Sequence, residues 1–246
     1  MIFKDINCGY RTIGKPGLYV YSFHDVTDNQ RQNCITESAV YNYSSCTGTV
    51  KQMNETTLNN CSKTNGNYIP VLHILPPAYS EESYDRSELI GLIDQFHPLF
   101  RVRPNLDASP FLDWMYKEVF DVLEESGTPL LVSLQELDLR EAVETLKVHP
   151  DLKIILTNTT QWLNRQYIQF AKHFSNVFLD TSNIIEYYGI ENITNILGAD
   201  RILFGTNMPE KEPYDKIFQL LNCELSDEQK EYIAFRNYDR LTGRSL

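Results

Sequence analysis

The chain has 246 residues, 42% of them hydrophobic and 22% charged, the balance of a soluble globular protein long enough to build one sizeable barrel. A formal net charge of −11 excludes the clustered basic surface that nucleic acid or an anionic membrane demands. No apolar run approaches the roughly 20 residues that span a bilayer, and the first ten residues carry no secretory pattern, so the expected location is the cytoplasm.

A short apolar run, a loop and a helical pattern recur along the chain. Runs at 2–6, 37–41, 68–75, 99–102, 130–134, 153–156, 176–179 and 201–204 predict eight strands. They are apolar on both faces, as in a parallel sheet covered by helices. Residues 9–35 and 43–67 read as long loops. The first contains Gly14-Lys15-Pro16-Gly17; the second is rich in Asn, Thr and Ser, with one modest helix over 50–58. Leu112, Met115, Val119, Phe120 and Leu123 follow a 3.6-residue period and predict a helix over 111–125. Ser109 is placed to cap it, Pro110 to open its first turn and Gly127 to end it. Asp138 with Glu141 predicts a capping box before 142–148. Helices follow over 161–174, 186–197 and 213–221, and Ser226 with Gln229 opens a last one that runs to Leu241.

Strand and helix alternate to the end. The expected fold is α/β, a single (β/α)8 TIM barrel over residues 1–246, with a doubly wound open sheet as the alternative. No Gly-x-Gly-x-x-Gly follows a strand and no P-loop occurs, so nucleotide binding lacks support. The cysteines are Cys8, Cys34, Cys46, Cys61 and Cys223. An odd number without a Cys-x-x-Cys pair argues for reduced thiols over a disulfide framework or structural zinc. Asn42-Tyr43-Ser44 and Asn54-Glu55-Thr56 fit a glycosylation triplet, but without a secretory signal they are read as chance.

Four stretches carry a family resemblance. They are Phe3-Lys4-Asp5-Ile6-Asn7-Cys8, the run 149–158 from His149 to Asn158, Asn176-Val177-Phe178-Leu179-Asp180-Thr181-Ser182, and the run 197–209 containing Gly198-Ala199-Asp200-Arg201-Ile202-Leu203-Phe204-Gly205-Thr206. Together they resemble the amidohydrolase-related family, the TIM barrels that include decarboxylases and lactone hydrolases. The tail 225–241, with Asn237 near its end, is similar to that family's closing helix. The resemblance implies a site at the C-terminal strand ends and a homodimer. It also implies a divalent ion, often zinc, that polarises bound water. The ligands would be a His-x-His pair on strand one, a His on strand five, a His on strand six and an Asp on strand eight.

Here those positions read Asn7 and Gly9, then Ser133, Asn158 and Asn207. Asn offers a neutral amide oxygen, Gly offers nothing and Ser is a poor ligand unless deprotonated. The expectation is therefore a degenerate hydrolase homologue with no metal and no cofactor, keeping a polar pocket for a small polar or anionic ligand. The alternative is an active metal-dependent hydrolase or decarboxylase in which non-standard ligands hold zinc or another divalent ion. A third reading is a structural partner of an active paralogue. The pocket candidates are Asn7, Arg103, Ser133, Gln135, Asn158, Asp180 and Asn207, joined by Arg11; no catalytic role is assigned. Arg103 either clamps a carboxylate or phosphate, or pairs with Asp180 or Glu136 and plugs the barrel. Asp180 is either a lone general base or a structural acceptor. His73 is the best interior histidine and His24 a candidate to reach the mouth; His97, His149 and His173 are expected away from it.

Overall fold

Strands form where the apolar runs lie. In the computed structural model, which describes residues 1–11, 21–43, 49–76, 78 and 82–244, they are β1 (Phe3–Tyr10), β2 (Ile35–Asn42), β3 (Tyr68–His73) and β4 (Leu99–Val102), then β5 (Leu130–Ser133), β6 (Ile154–Thr157), β7 (Val177–Asp180) and β8 (Ile202–Leu203). Each pairs in parallel with the next. The segment after β8 returns to β1: the Ile6 N–H donates to the Phe204 carbonyl at 2.9 Å, Asn207 N–H to Asn7 at 2.8 Å and Gly9 N–H to Met208 at 2.7 Å. The chain is a (β/α)8 barrel, not an open sheet. β1 runs past the expected residue 6 to Tyr10, and its register against β2 slips between Asp5 and Cys8.

The two-residue period of the strands divides the core. Ala39, Val71, Leu99, Leu131 and Ile155 fill the barrel in one cluster. Phe100, Val102, Leu130, Val132 and Leu156 belong to another, packed beneath the helices. Each such buried Val, Leu, Ile or Phe side chain contributes about 1.5–3 kcal/mol.

Helices α1 (Phe23–Gln32), α2 (Val50–Ser62), α3 (Arg86–Phe96), α4 (Asp113–Ser126) and α5 (Leu139–Val148) lead to α6 (Asn164–His173), α7 (Gly189–Leu197) and α8 (Pro213–Asn222). The tail holds α9 (Asp227–Glu231), a π-helical turn (Tyr232–Arg236) and α10 (Asn237–Thr242), so the expected continuous last helix is interrupted. Helix α1 lies inside the stretch read as a loop. Its signal is the Ser22–Asp25 capping box, in which each side chain accepts from the other residue's backbone. Asp85 and Glu88 do the same for α3.

Two expected caps fail. Leu112, not Ser109, precedes α4, and the Ser109 hydroxyl instead meets the Tyr116 hydroxyl at 2.6 Å. Asp138 caps the Arg140 N–H, but Glu141 accepts from Phe111 N–H in place of closing a box. Gly127, at φ 67°, ends α4 as expected, and the Ser226–Gln229 box opens α9. Cys8, Cys34, Cys61 and Cys223 are free thiols. Cys46, Gly14 to Gly17 and Ser44 lie outside the described residues. No helix among the described residues is long and apolar enough to cross a membrane.

Candidate functional site

The ends of β1, β2, β4, β5 and β6 converge on a cleft of about 360 Å³ at the C-terminal mouth. It collects six residues singled out from the sequence: Asn7, Arg11, Arg103, Ser133, Gln135 and Asn158. Asp180 and Asn207 do not line it, but each is hydrogen-bonded to a residue that does. A larger groove of about 920 Å³ lies outside the barrel, where His24, Arg31 and Cys34 face Asn60 and Lys63. His24 belongs to that groove, paired with Asp28 at 3.2 Å, and does not reach the mouth.

Tyr41 and Tyr43 organise the mouth. Alternation along β2 turns Ala39 and Tyr41 inward and carries Tyr43, just past the strand, to the same side. The Tyr41 hydroxyl donates to Asn7 Oδ1 at 2.9 Å and lies 2.8 Å from the Tyr43 hydroxyl, which donates to Asn207 Oδ1 at 3.3 Å. Asn7 Nδ2 donates to Asp180 Oδ2 at 2.8 Å. The Ser182 hydroxyl reaches Asn158 Oδ1 at 3.4 Å. These amides are bonded to hydroxyls and a carboxylate. The tyrosine rings also occupy the space above Gly9, where a Cβ would lie 2.3 Å from Tyr43 Cε2 and 2.8 Å from Tyr41 Cε2.

Two carboxyls are buried beneath this layer. Asp180 packs on Gly205, where a Cβ would come within 2.6 Å of its Oδ2. Burial raises the Asp180 carboxyl to about 6, against the Ser182 and Asn7 hydrogen bonds that pull it down. Asp5 stitches β1 to the segment after β8: it accepts from the Asn7 and Thr206 N–H groups at 3.0 Å each and from the Thr206 hydroxyl at 2.5 Å. Burial lifts it to about 7, against these same donors.

Arg103 has a different partner from either one expected. Its Nη2 lies 2.6 Å from Asp107 Oδ1 and its Nε 3.2 Å from Oδ2. His73 Nε2 lies 2.8 Å from Asp107 Oδ2. Burial lowers the His73 imidazole to about 4 despite that carboxylate. The cation within β4 was missed in the sequence. Arg101 lies beside the Tyr41 ring, 4.0 Å from its centroid, and lines the cleft. Strand alternation was the available signal, since Leu99, Arg101 and Arg103 share one face. The same rule would have found Tyr41 and Tyr43, and Thr157 beyond Ile155. His149 lies outside the barrel as expected, between Asp113 at 2.8 Å and Glu124 at 3.0 Å.

The sequence model of the amidohydrolase family matches residues 35–239. The chain belongs to the amidohydrolase family. No curated protein sequence matches it significantly. Solved structures similar to this amidohydrolase barrel include an uncharacterized TIM-barrel protein from Bordetella bronchiseptica, at 16% identity and TM-score 0.77, covering 99% of this chain and 100% of that one. Others are 2,6-dihydroxybenzoate decarboxylase from Rhizobium (13%, TM-score 0.75, 98% of both chains) and 5-carboxyvanillate decarboxylase from Sphingomonas paucimobilis (12%, TM-score 0.75, 99% of both). At these identities the likeness is one of fold.

A divalent metal is the group this family implies, and the mouth does not fit one. Asn7 Oδ1, Asn158 Oδ1 and Asn207 Oδ1 each already accept from a hydroxyl. Gly9 is roofed by aromatic carbon. Among the described residues, no group of three or more His, Cys, Asp or Glu is placed to hold a metal ion. Zinc needs deprotonated, electron-rich ligands; at the positions where ligands are expected, this amidohydrolase barrel has three neutral amides, a hydroxyl and a glycine.

Proposed function

We propose that this amidohydrolase-family barrel is a metal-independent binding protein that has kept the polar mouth of a hydrolase without its metal chemistry. The observation that carries the reading is the Tyr41–Tyr43 pair. It covers Gly9 and engages the oxygens of Asn7 and Asn207, at three of the positions where the family resemblance expects ligands. Losing one ligand can be compensated; here every expected ligand is replaced. Ser133 is not activated as a nucleophile that could substitute for the metal. The hydroxyl of Ser133 sits 3.4 Å from the Gln135 N–H, with no histidine or carboxylate hydrogen-bonded to it among the described residues.

The test is elemental analysis of the full-length protein expressed in medium supplemented with zinc and manganese, followed by zinc titration calorimetry. The expected result is far less than one metal per chain and no saturable zinc binding at the mouth. A stoichiometric metal that survives gel filtration would overturn the reading in favour of a metal-dependent hydrolase or decarboxylase with non-standard ligands.

A further inference from the structure

The groove of about 920 Å³ on the outside of the barrel departs from the rest of this acidic chain: none of the described residues that line it is an Asp or a Glu. Helices α3 to α7 each pack against the next; α1 and α2 lean on β1, β2 and β3 instead, and the groove runs in the gap between them. One wall is α1, where Phe23, Thr27 and Arg31 recur every four residues and so share a face. The other is the end of α2 and the turn after it, which bring Asn60, Lys63, Asn65 and Asn67. Phe23 and Tyr68, in an edge-to-face pair at 5.4 Å, add an apolar patch.

Its polar groups are largely uncommitted. Among the described residues, Lys63 Nζ and the side-chain amides of Asn65 and Asn67 make no hydrogen bond or ion pair. Arg31 reaches Asp28 by one contact at 3.3 Å, and His24 holds the same carboxylate at 3.2 Å; Asp28 itself does not line the groove. Ion pairs this exposed contribute about 0–1 kcal/mol, so an incoming carboxylate can compete for Arg31.

We infer that this groove docks an extended acidic peptide segment of a partner protein, independently of what the barrel mouth holds. The ten residues of α1 span about 15 Å, the reach of roughly four or five extended residues. Each Asn side chain offers both donor and acceptor, the two groups that every residue of an extended backbone leaves unpaired. Arg31 and Lys63, on opposite walls, meet acidic side chains, and the Phe23–Tyr68 patch takes an apolar one. Two fixed cations match the scattered carboxylates of a peptide, not the continuous charge of a nucleic acid. The net charge of −11 does not oppose this: at physiological ionic strength charges beyond about 8 Å are largely screened, which leaves the groove's own field in control.

The test is NMR of the full-length, isotope-labelled protein titrated to millimolar with a five-residue peptide in which two aspartates and two glutamates flank a phenylalanine. Its amide counterpart, with Asn and Gln in place of Asp and Glu, and a five-nucleotide oligothymidylate are titrated alongside. Saturable shifts are expected on α1, the end of α2 and the starts of β2 and β3, with the acidic peptide at least about fivefold tighter than the amide one. Lys63→Gln and Arg31→Gln, both at exposed side chains, are each expected to weaken it about threefold, and the pair about tenfold. Lys147→Gln, exposed on α5, is the control and should change nothing. If circular dichroism shows the double variant unfolded, the single changes read the same site. No saturable shift with millimolar peptide, shifts that map elsewhere, or equal affinity for the amide peptide overturns the inference. So does undiminished affinity in the folded variants, or tighter binding of the oligothymidylate.

Discussion

A Cβ added to Gly9 would stand 2.3 Å from Cε2 of Tyr43, well inside any carbon–carbon contact. The second position of the expected His-x-His pair is therefore closed by packing as well as by residue type. Gly9→Ala is predicted to destabilise the fold by about 1–3 kcal/mol, as overpacked cores do. Urea unfolding measures it. Tyr43→Ala removes the nearer obstruction and leaves Tyr41 Cε2 at 2.8 Å, so the double variant should be less destabilised than the sum of the two single changes; strict additivity would show that the Tyr43 ring and the glycine do not oppose one another.

The buried carboxyls set a pH dependence of definite sign. Asp180 is raised to about 6 and Asp5 to about 7, while both ionise near 3.8 when unfolded. The folded state therefore holds protons that the unfolded chain releases, and their contribution to stability falls as pH rises from about 4 to 7. Asp180→Asn, which is neutral at every pH, should flatten this fall. Above pH 7 it should gain stability relative to wild type, on the order of 2 kcal/mol. Unfolding midpoints of both proteins between pH 4.5 and 8 would show it. A difference that stays constant with pH would mean that Asp180 is ionised in the fold throughout.

His73 works in the opposite sense. Its imidazole is lowered to about 4 by burial, so it stays neutral where an unfolded histidine would take a proton. Its contribution is present above about pH 6.5 and declines as pH falls towards 4. Nitrogen-detected NMR should show no titration of His73 between pH 5.5 and 8. Asp107→Ala strands both His73 and the half of Arg103 that it holds, and is predicted to cost about 3 kcal/mol or more.

At the other end of β1, Lys4 is buried between Glu37 and Asp239, each at 2.6 Å. Burial opposes its charge, but the two carboxylates outweigh it and raise its pKa. Lys4→Ala leaves two part-buried carboxylates facing each other and should cost about 3–5 kcal/mol. Lys4→Ala with Glu37→Gln should recover part of that loss in the same unfolding assay.

The barrel was legible because a parallel strand buried on both faces is a continuous apolar run, and all eight runs are strands. Helix α1 was not legible by periodicity. Its residues are mostly polar, and only the Ser22–Asp25 box announced it. At the site, positions read against the resemblance gather at the mouth: Asn7, Ser133 and Asn158 line the cleft and Asn207 is bonded to Tyr43 there. The partners of these residues could not be read. Asn7 looks like a vacant ligand until Tyr41, thirty-four positions along the chain, is seen to donate to it. Arg103 was read as a clamp or as a partner of Asp180 or Glu136, whereas Asp107, one turn into the following loop, pairs with it. Such pairings depend on which loop folds back over which strand, and no local pattern encodes that.

The tyrosine roof also bears on reversal. Suppose that a metal were to be regained one substitution at a time. A histidine at position 9 meets the ring of Tyr43, and removing that ring first takes away the hydroxyl that satisfies Asn207. An aspartate at position 207 places a third carboxyl close to Asp5 and Asp180, both already held at raised pKa by burial. Each step costs stability and none alone yields an ion. At this mouth the installation of an ion is uphill until several changes coincide.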